Sequence, residues 1–324
     1  MKLATRLVAT LVLSLAAACG DDHGATLQST GPALMTPTAT LAAALEHHPT
    51  DHPSDREPVL LVHGTGSTPE ETWGWNYVPT LSAMGFDVFT VRLPDRALAD
   101  VQVSSEYVVY AIREIARSTG RKVDVIGHSQ GGLEPRWALK WWPDIRELVD
   151  DFVALASPRD GTVVANAACV AGCGAAVWQV RYISNLLAAL NRGDPAPGDT
   201  VSYTTILSVF DEIATPPVGL GANDHVADVL IQDLCPARPV DHISTISDAV
   251  SFAVVIDAIT HPGPFDRARF DPATCLETTM PGVTPSMLVA DGGPAAANAG
   301  LAIGTATFVS SEPPLRDYAR GDAP

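Results

Sequence analysis

Six consecutive residues, Gly127-His128-Ser129-Gln130-Gly131-Gly132, have the types and spacing of a nucleophile elbow, G-x-S-x-G with a further glycine behind it. A serine used as a nucleophile has to stand clear of the backbone on a sharp strand-to-helix turn. Strand and helix then pass so closely that only residues without bulk fit two positions either side, hence Gly127 and Gly131. The flanks have the matching character. Val123-Asp124-Val125-Ile126 is short, β-branched and mostly apolar, as a buried parallel strand is. Residues 133–141 read as a helix, with Pro135 tolerated in its first turn. A glycine-rich turn without chemistry is the alternative, and the strand before and helix after weigh against it.

A serine hydroxyl is a weak nucleophile and requires a base, held in turn by an acid. Behind such an elbow the partners follow in the order acid, then histidine. His225, His242 and His261 all come after Ser129. His261 ends an apparent helix over 249–260, where capping explains it, and His225 opens an apparent strand over 226–231. His242 lies in the loop beyond that strand and is the expected base. Asp211 stands directly after an apparent strand over 204–209 and is the expected acid, with Glu212 as the alternative. The tetrahedral intermediate of acyl transfer needs donors for its oxyanion. The backbone N–H of Gln130 is one, and Thr65, in the His63-Gly64-Thr65-Gly66 turn after strand 59–62, is the other. Such a constellation needs no metal and no organic cofactor. The histidines and aspartate at 47, 48, 51 and 52 lack a second ligand pair at helical or hairpin spacing, so they read as solvated rather than metal-binding.

From Pro58 onward, strands and helices alternate, which predicts an α/β fold: a mostly parallel sheet with helices on both faces. Residues 87–91 and 152–156 supply further strands, and 104–119 a helix stopped by Gly120. The apolar stretch 174–190 interrupts the alternation. It is either a helical roof over the site or plain core packing. One domain over 57–324 accounts for the rest.

With 46% apolar residues the chain can bury a large core, and a formal net charge of −17 argues against nucleic-acid binding. Lys2 and Arg6 precede an apolar stretch and the small residues Ala16-Ala17-Ala18, so residues 1–18 read as a secretory signal. Cys19 follows in the position of a lipidated cysteine, which would anchor the chain to the bacterial cell envelope; an ordinary A-x-A cleavage site, with release, is the alternative. Residues 19–56 read mostly as a flexible tether. With Cys19 acylated, four cysteines remain, an even number for an oxidising compartment. Cys169–Cys173 would clip a local loop and Cys235–Cys275 a longer one.

With these residues in place, the chain resembles the Candida antarctica lipase B-like serine lipases of the α/β-hydrolase superfamily. The similarity rests on residues 58–62 with Gly64-Thr65-Gly66, on Ser129-Gln130-Gly131-Gly132-Leu133, on Gly161-Thr162-Val163, Val177-Trp178-Gln179, Asp211-Glu212-Ile213 and Asp241-His242, and on Glu312-Pro313 and Tyr318-Ala319-Arg320. The resemblance implies Ser129, Asp211 and His242 as a triad and Thr65 and Gln130 as the oxyanion hole, the residues already reached from chain order. It also implies a substrate pocket near His128, Pro158 and Trp178, and keeps Cys235 paired with Cys275. His128 replaces the family's tryptophan beside the nucleophile. Pro158 or Arg159 falls opposite an acidic residue of its acyl pocket, so alcohol and acyl preferences do not transfer. The implied activity is that of an exported lipase or esterase acting on an ester or lipid substrate. A polyester depolymerase or an acyltransferase would use the same site, and a non-catalytic surface binding protein would need none of the three residues.

Overall fold

The computed structural model describes residues 31–52, 54–198 and 200–321. The expected signal segment and Cys19 lie outside them. Seven strands form one sheet: β1 (Leu45–His48), β2 (Val59–Val62), β3 (Val88–Val91), β4 (Val123–His128), β5 (Val149–Leu155), β6 (Ser202–Leu207) and β7 (Val226–Leu230). Their order is β1-β3-β2-β4-β5-β6-β7, and every pairing is parallel except that of β1 with β3.

Side chains alternate across β2. Leu60 and Val62 enter one core with Phe89 and Val91, beneath helices Val101–Thr119 and Leu133–Trp141. Val59 and Leu61 enter a second core with Val88 and Ile126, beneath helix Ala249–Thr260. Both faces being covered, all four β2 residues are buried. Each such aliphatic side chain stabilises the fold by about 1.5–3 kcal/mol. The helix expected at 104–119 starts at Val101, because the Asp100 side chain accepts the Gln102 N–H at 2.9 Å. Gly120 closes it at φ +69°.

The tether expected over 19–56 does not hold throughout. Thr38–Ala43 is helical, and Leu45–His48 adds an antiparallel edge strand. Leu41 is buried, and His47 stacks on Phe89 with ring centroids 4.3 Å apart. Leu41 and Leu45 give this segment apolar surface to bury, which a solvated linker lacks. The stretch at 174–190 is two short helices, Ala175–Gln179 and Asn185–Leu190, broken at Ile183 with φ +63°. Disulfides join Cys169 to Cys173 and Cys235 to Cys275. Among the described residues no helix is long and apolar enough to cross a membrane.

Candidate active site

Ser129 follows β4 directly, at φ +56°, a left-handed conformation that a residue with a side chain adopts only under constraint. The glycines explain how the turn closes. A Cβ on Gly127 would sit 2.0 Å from the Gly131 carbonyl oxygen, and one on Gly131 would sit 2.4 Å from that of Val62. The strained turn lifts the hydroxyl toward the loops at the carboxyl ends of β6 and β7.

Those loops carry the other two residues. His242 Nε2 lies 2.9 Å from Ser129 Oγ. On the far side of the ring, Nδ1 lies 2.9 and 3.0 Å from the two oxygens of Asp211. Asp211 is itself held, since Oδ1 accepts the backbone N–H groups of Ile213 (2.9 Å) and Ala214 (2.7 Å). Burial raises the Asp211 pKa, but the hydrogen bond from His242 and those two N–H groups outweigh it and hold the carboxyl below its usual range. Glu212, the alternative acid, accepts only the His242 backbone N–H, at 3.2 Å. The His242 carbonyl receives the Thr245 hydroxyl (2.6 Å) and His128 Nε2 (3.0 Å), so the ring is fixed from its backbone as well. Burial, then the neighbouring His242, lower the His128 pKa to about 3 and keep that ring neutral.

Thr65 and Gln130 meet beside the serine. The Thr65 hydroxyl donates to Gln130 Oε1. Gln130 Nε2 donates to the Ala97 carbonyl (3.0 Å) and to Glu134 Oε1 (2.7 Å). Behind them runs a turn with three consecutive left-handed residues, Asp95, Arg96 and Ala97 at φ 50°, 56° and 58°. It aims the Arg96 carbonyl at the Gly66 N–H (2.7 Å) as well as the Ala97 carbonyl at Gln130. Nothing in the local sequence signals that turn. His63 fills the space beneath: its Nε2 accepts the Leu93 N–H at 3.0 Å, so its proton sits on Nδ1 toward the Gly64 carbonyl. Burial lowers its pKa to about 4.

A cavity of about 370 Å³ opens on Ser129 and His242. Its walls are mainly apolar, with Val164, Val177, Val180, Ala296, Ala299 and Ile303 among the lining residues. His128 lines it as expected. Pro158 and Trp178 do not. Pro158 is buried in the turn where its carbonyl accepts the Gly161 N–H. The Trp178 indole donates to the Val309 carbonyl at 2.9 Å and lies under the Arg181 guanidinium. The first helix stops at Gln179, and Val177 and Val180 line the cavity. Helix Gly293–Thr305 also lines the cavity; its alanines and glycines give only a weak periodic signal in the sequence.

A sheet of this order, with a left-handed serine between strand and helix and a histidine–carboxylate pair on the next loops, defines a class of hydrolytic enzymes. The model of the Alpha/beta hydrolase family matches residues 59–320, and the chain belongs to that family. Lipase B of Pseudozyma antarctica is 31% identical over 298 residues, spanning 89% of this chain and 86% of the relative. The crystal structure of Aspergillus fumigatus lipase B is similar at a TM-score of 0.81 and 29% identity, covering 89% of this chain and 73% of that one. The chain is a serine ester hydrolase.

Proposed function

We propose that this enzyme is an exported lipase or esterase that works through an acyl-enzyme on Ser129. One observation carries the reading: the hydrogen-bonded line Asp211–His242–Ser129 ends on an apolar cavity rather than in open solvent. Ser129 Oγ attacks the ester carbonyl carbon while its proton passes to His242 Nε2. The charged imidazole is stabilised by Asp211, whose carboxylate already holds Nδ1. The backbone N–H groups of Gln130 and Thr65 receive the oxyanion, with the Thr65 hydroxyl as a further donor. His242 then protonates the departing alkoxide. Water, deprotonated by the same imidazole, attacks the acyl carbon and frees Ser129.

The apolar cavity suits an acyl chain, since burial of each methylene stabilises by about 0.8 kcal/mol. Two disulfides and the signal-like residues 1–18 support export, and Cys19 would carry the anchor. The test is hydrolysis of p-nitrophenyl esters from acetate to palmitate, beside emulsified triglyceride, with Ser129→Ala as control. Serine-dependent activity on long chains and emulsion supports a lipase. Activity confined to short soluble esters makes it an esterase, and equal inactivity of both proteins removes the reading.

A further inference from the structure

At the end of the sheet remote from Ser129, β4 and β5 open with acidic residues. Their register shifts there: Val123 faces Val149, whereas Val125 faces Phe152. Asp124 is therefore opposed by both Asp150 and Asp151, as at a β-bulge. One oxygen from each of the three carboxylates lies within 4.8 Å of the other two. Asp124 is 1% exposed and Asp151 5%. Both oxygens of Asp124 and Oδ1 of Asp151 are buried without a well-formed hydrogen bond, the Asp151 backbone N–H making only a weak approach to the Asp124 carboxyl. Glu57, which enters β2 beside them, likewise buries Oε2 without a partner. The nearby cations do not fill this gap. Lys122 reaches only Asp150 Oδ1 (3.0 Å) at the solvent-facing rim, and Arg121 is turned to the Ser54 and Arg56 carbonyls and to Asp87.

Buried carboxylates left without donors are strongly disfavoured unless a proton or a cation joins them. Two oxygens bound to one calcium ion at about 2.4 Å each lie at most about 4.8 Å apart, which is the reach of this cluster. An all-carboxylate set without histidine or cysteine selects hard cations. We propose that Asp124, Asp150 and Asp151, with Glu57 at the edge, form a binding site for a divalent cation of the calcium type that ties the entries of β2, β4 and β5 together. Asp124 and Ser129 are five positions apart along and just beyond β4, roughly 16 Å, so the ion would act on stability and not on the chemical step.

The test is thermal unfolding of the full chain at pH 7.5 in EDTA and across a calcium chloride titration, with isothermal titration calorimetry for stoichiometry. The expected result is one calcium ion per chain and a saturable rise in Tm, roughly 5 °C at hundredfold excess over Kd. The rise should be absent in Asp124→Asn, with p-nitrophenyl acetate turnover at 25 °C unchanged. Should Asp124→Asn not fold, Asp150→Asn at the rim should still fold and bind calcium at least tenfold more weakly. No shift in the wild type, with a Tm that climbs as the pH falls from 8, would mean that the carboxyls share a proton, and overturns the proposal. An equal shift in wild type and both variants would place the calcium on the acidic surface, and also overturns it.

Discussion

The side-chain amide of Gln130 donates to the buried carboxyl of Glu134 at 2.7 Å, one helical turn further on. With the Ala97 carbonyl on the same nitrogen, this fixes which way the amide points and presents Oε1 to the Thr65 hydroxyl. Oxyanion stabilisation is strongest when the donors are in place before charge develops, so Glu134 positions Gln130 and Thr65 without touching substrate.

Burial raises the Glu134 pKa to about 8 against an ordinary value of 4.5. The folded state therefore holds a proton that the unfolded chain releases. Glu134 contributes stability that is fully present below pH 4.5 and is lost as the pH rises through about 8. Relative to Glu134→Gln, the wild type should weaken progressively across that window in urea unfolding, while the variant keeps activity within a few-fold. Parallel curves would mean that Glu134 is ionised in the fold.

Asp211→Asn should lower kcat by about 10⁴, because the amide cannot stabilise the imidazolium and favours the wrong tautomer. Glu212→Gln should cost less than about tenfold, since Glu212 meets only the His242 backbone. Steady-state kinetics that reversed this order would move the acid to Glu212.

Thr65→Val keeps the backbone N–H and removes the hydroxyl. If that hydroxyl turns to the oxyanion in the transition state, kcat should fall by up to about 10² with KM little changed. A change in KM alone would limit Thr65 to ground-state packing.

His128 stays neutral in the fold down to about pH 3, against an ordinary value of 6.5. Its folded pKa is lowered, so stability is lost as the pH falls below about 6.5, where the unfolded histidine takes up a proton that the folded one refuses. His128→Asn should lose less stability than wild type between pH 6.5 and 4, measured by denaturant midpoints. An equal loss would place a charge on His128 in the fold.

The alanine-rich helix Gly293–Thr305 lines the cavity along with Val177 and Val180. Ala296→Trp should therefore shorten the acyl pocket, cutting kcat/KM for p-nitrophenyl palmitate at least tenfold more than for acetate. A uniform loss would place the acyl chain elsewhere.

The elbow was legible because its demands are local: two glycines, a strand before and a helix after. Asp211 and His242 followed from chain order, since each lies in a loop after a strand at one end of a parallel sheet. What depended on tertiary context was not legible. The polar run Leu45–His48 becomes a strand only because β3 offers it an edge, with Phe89 beneath His47. Trp178 turns to the Val309 carbonyl, a partner 131 residues further along the chain. The left-handed turn at residues 95–97 and the weakly periodic wall at 293–305 carry little local signal of their own. The register shift that gathers Asp124, Asp150 and Asp151 is a property of two strands together.

Covalent labelling tests the central claim most directly. Wild type, Ser129→Ala and His242→Ala would each be treated with a fluorophosphonate and analysed by intact mass and peptide mapping. A single adduct on the peptide carrying Ser129, absent in Ser129→Ala and slowed by several orders of magnitude in His242→Ala, is the expected result. No adduct on folded wild type, or labelling indifferent to His242, would contradict an activated serine.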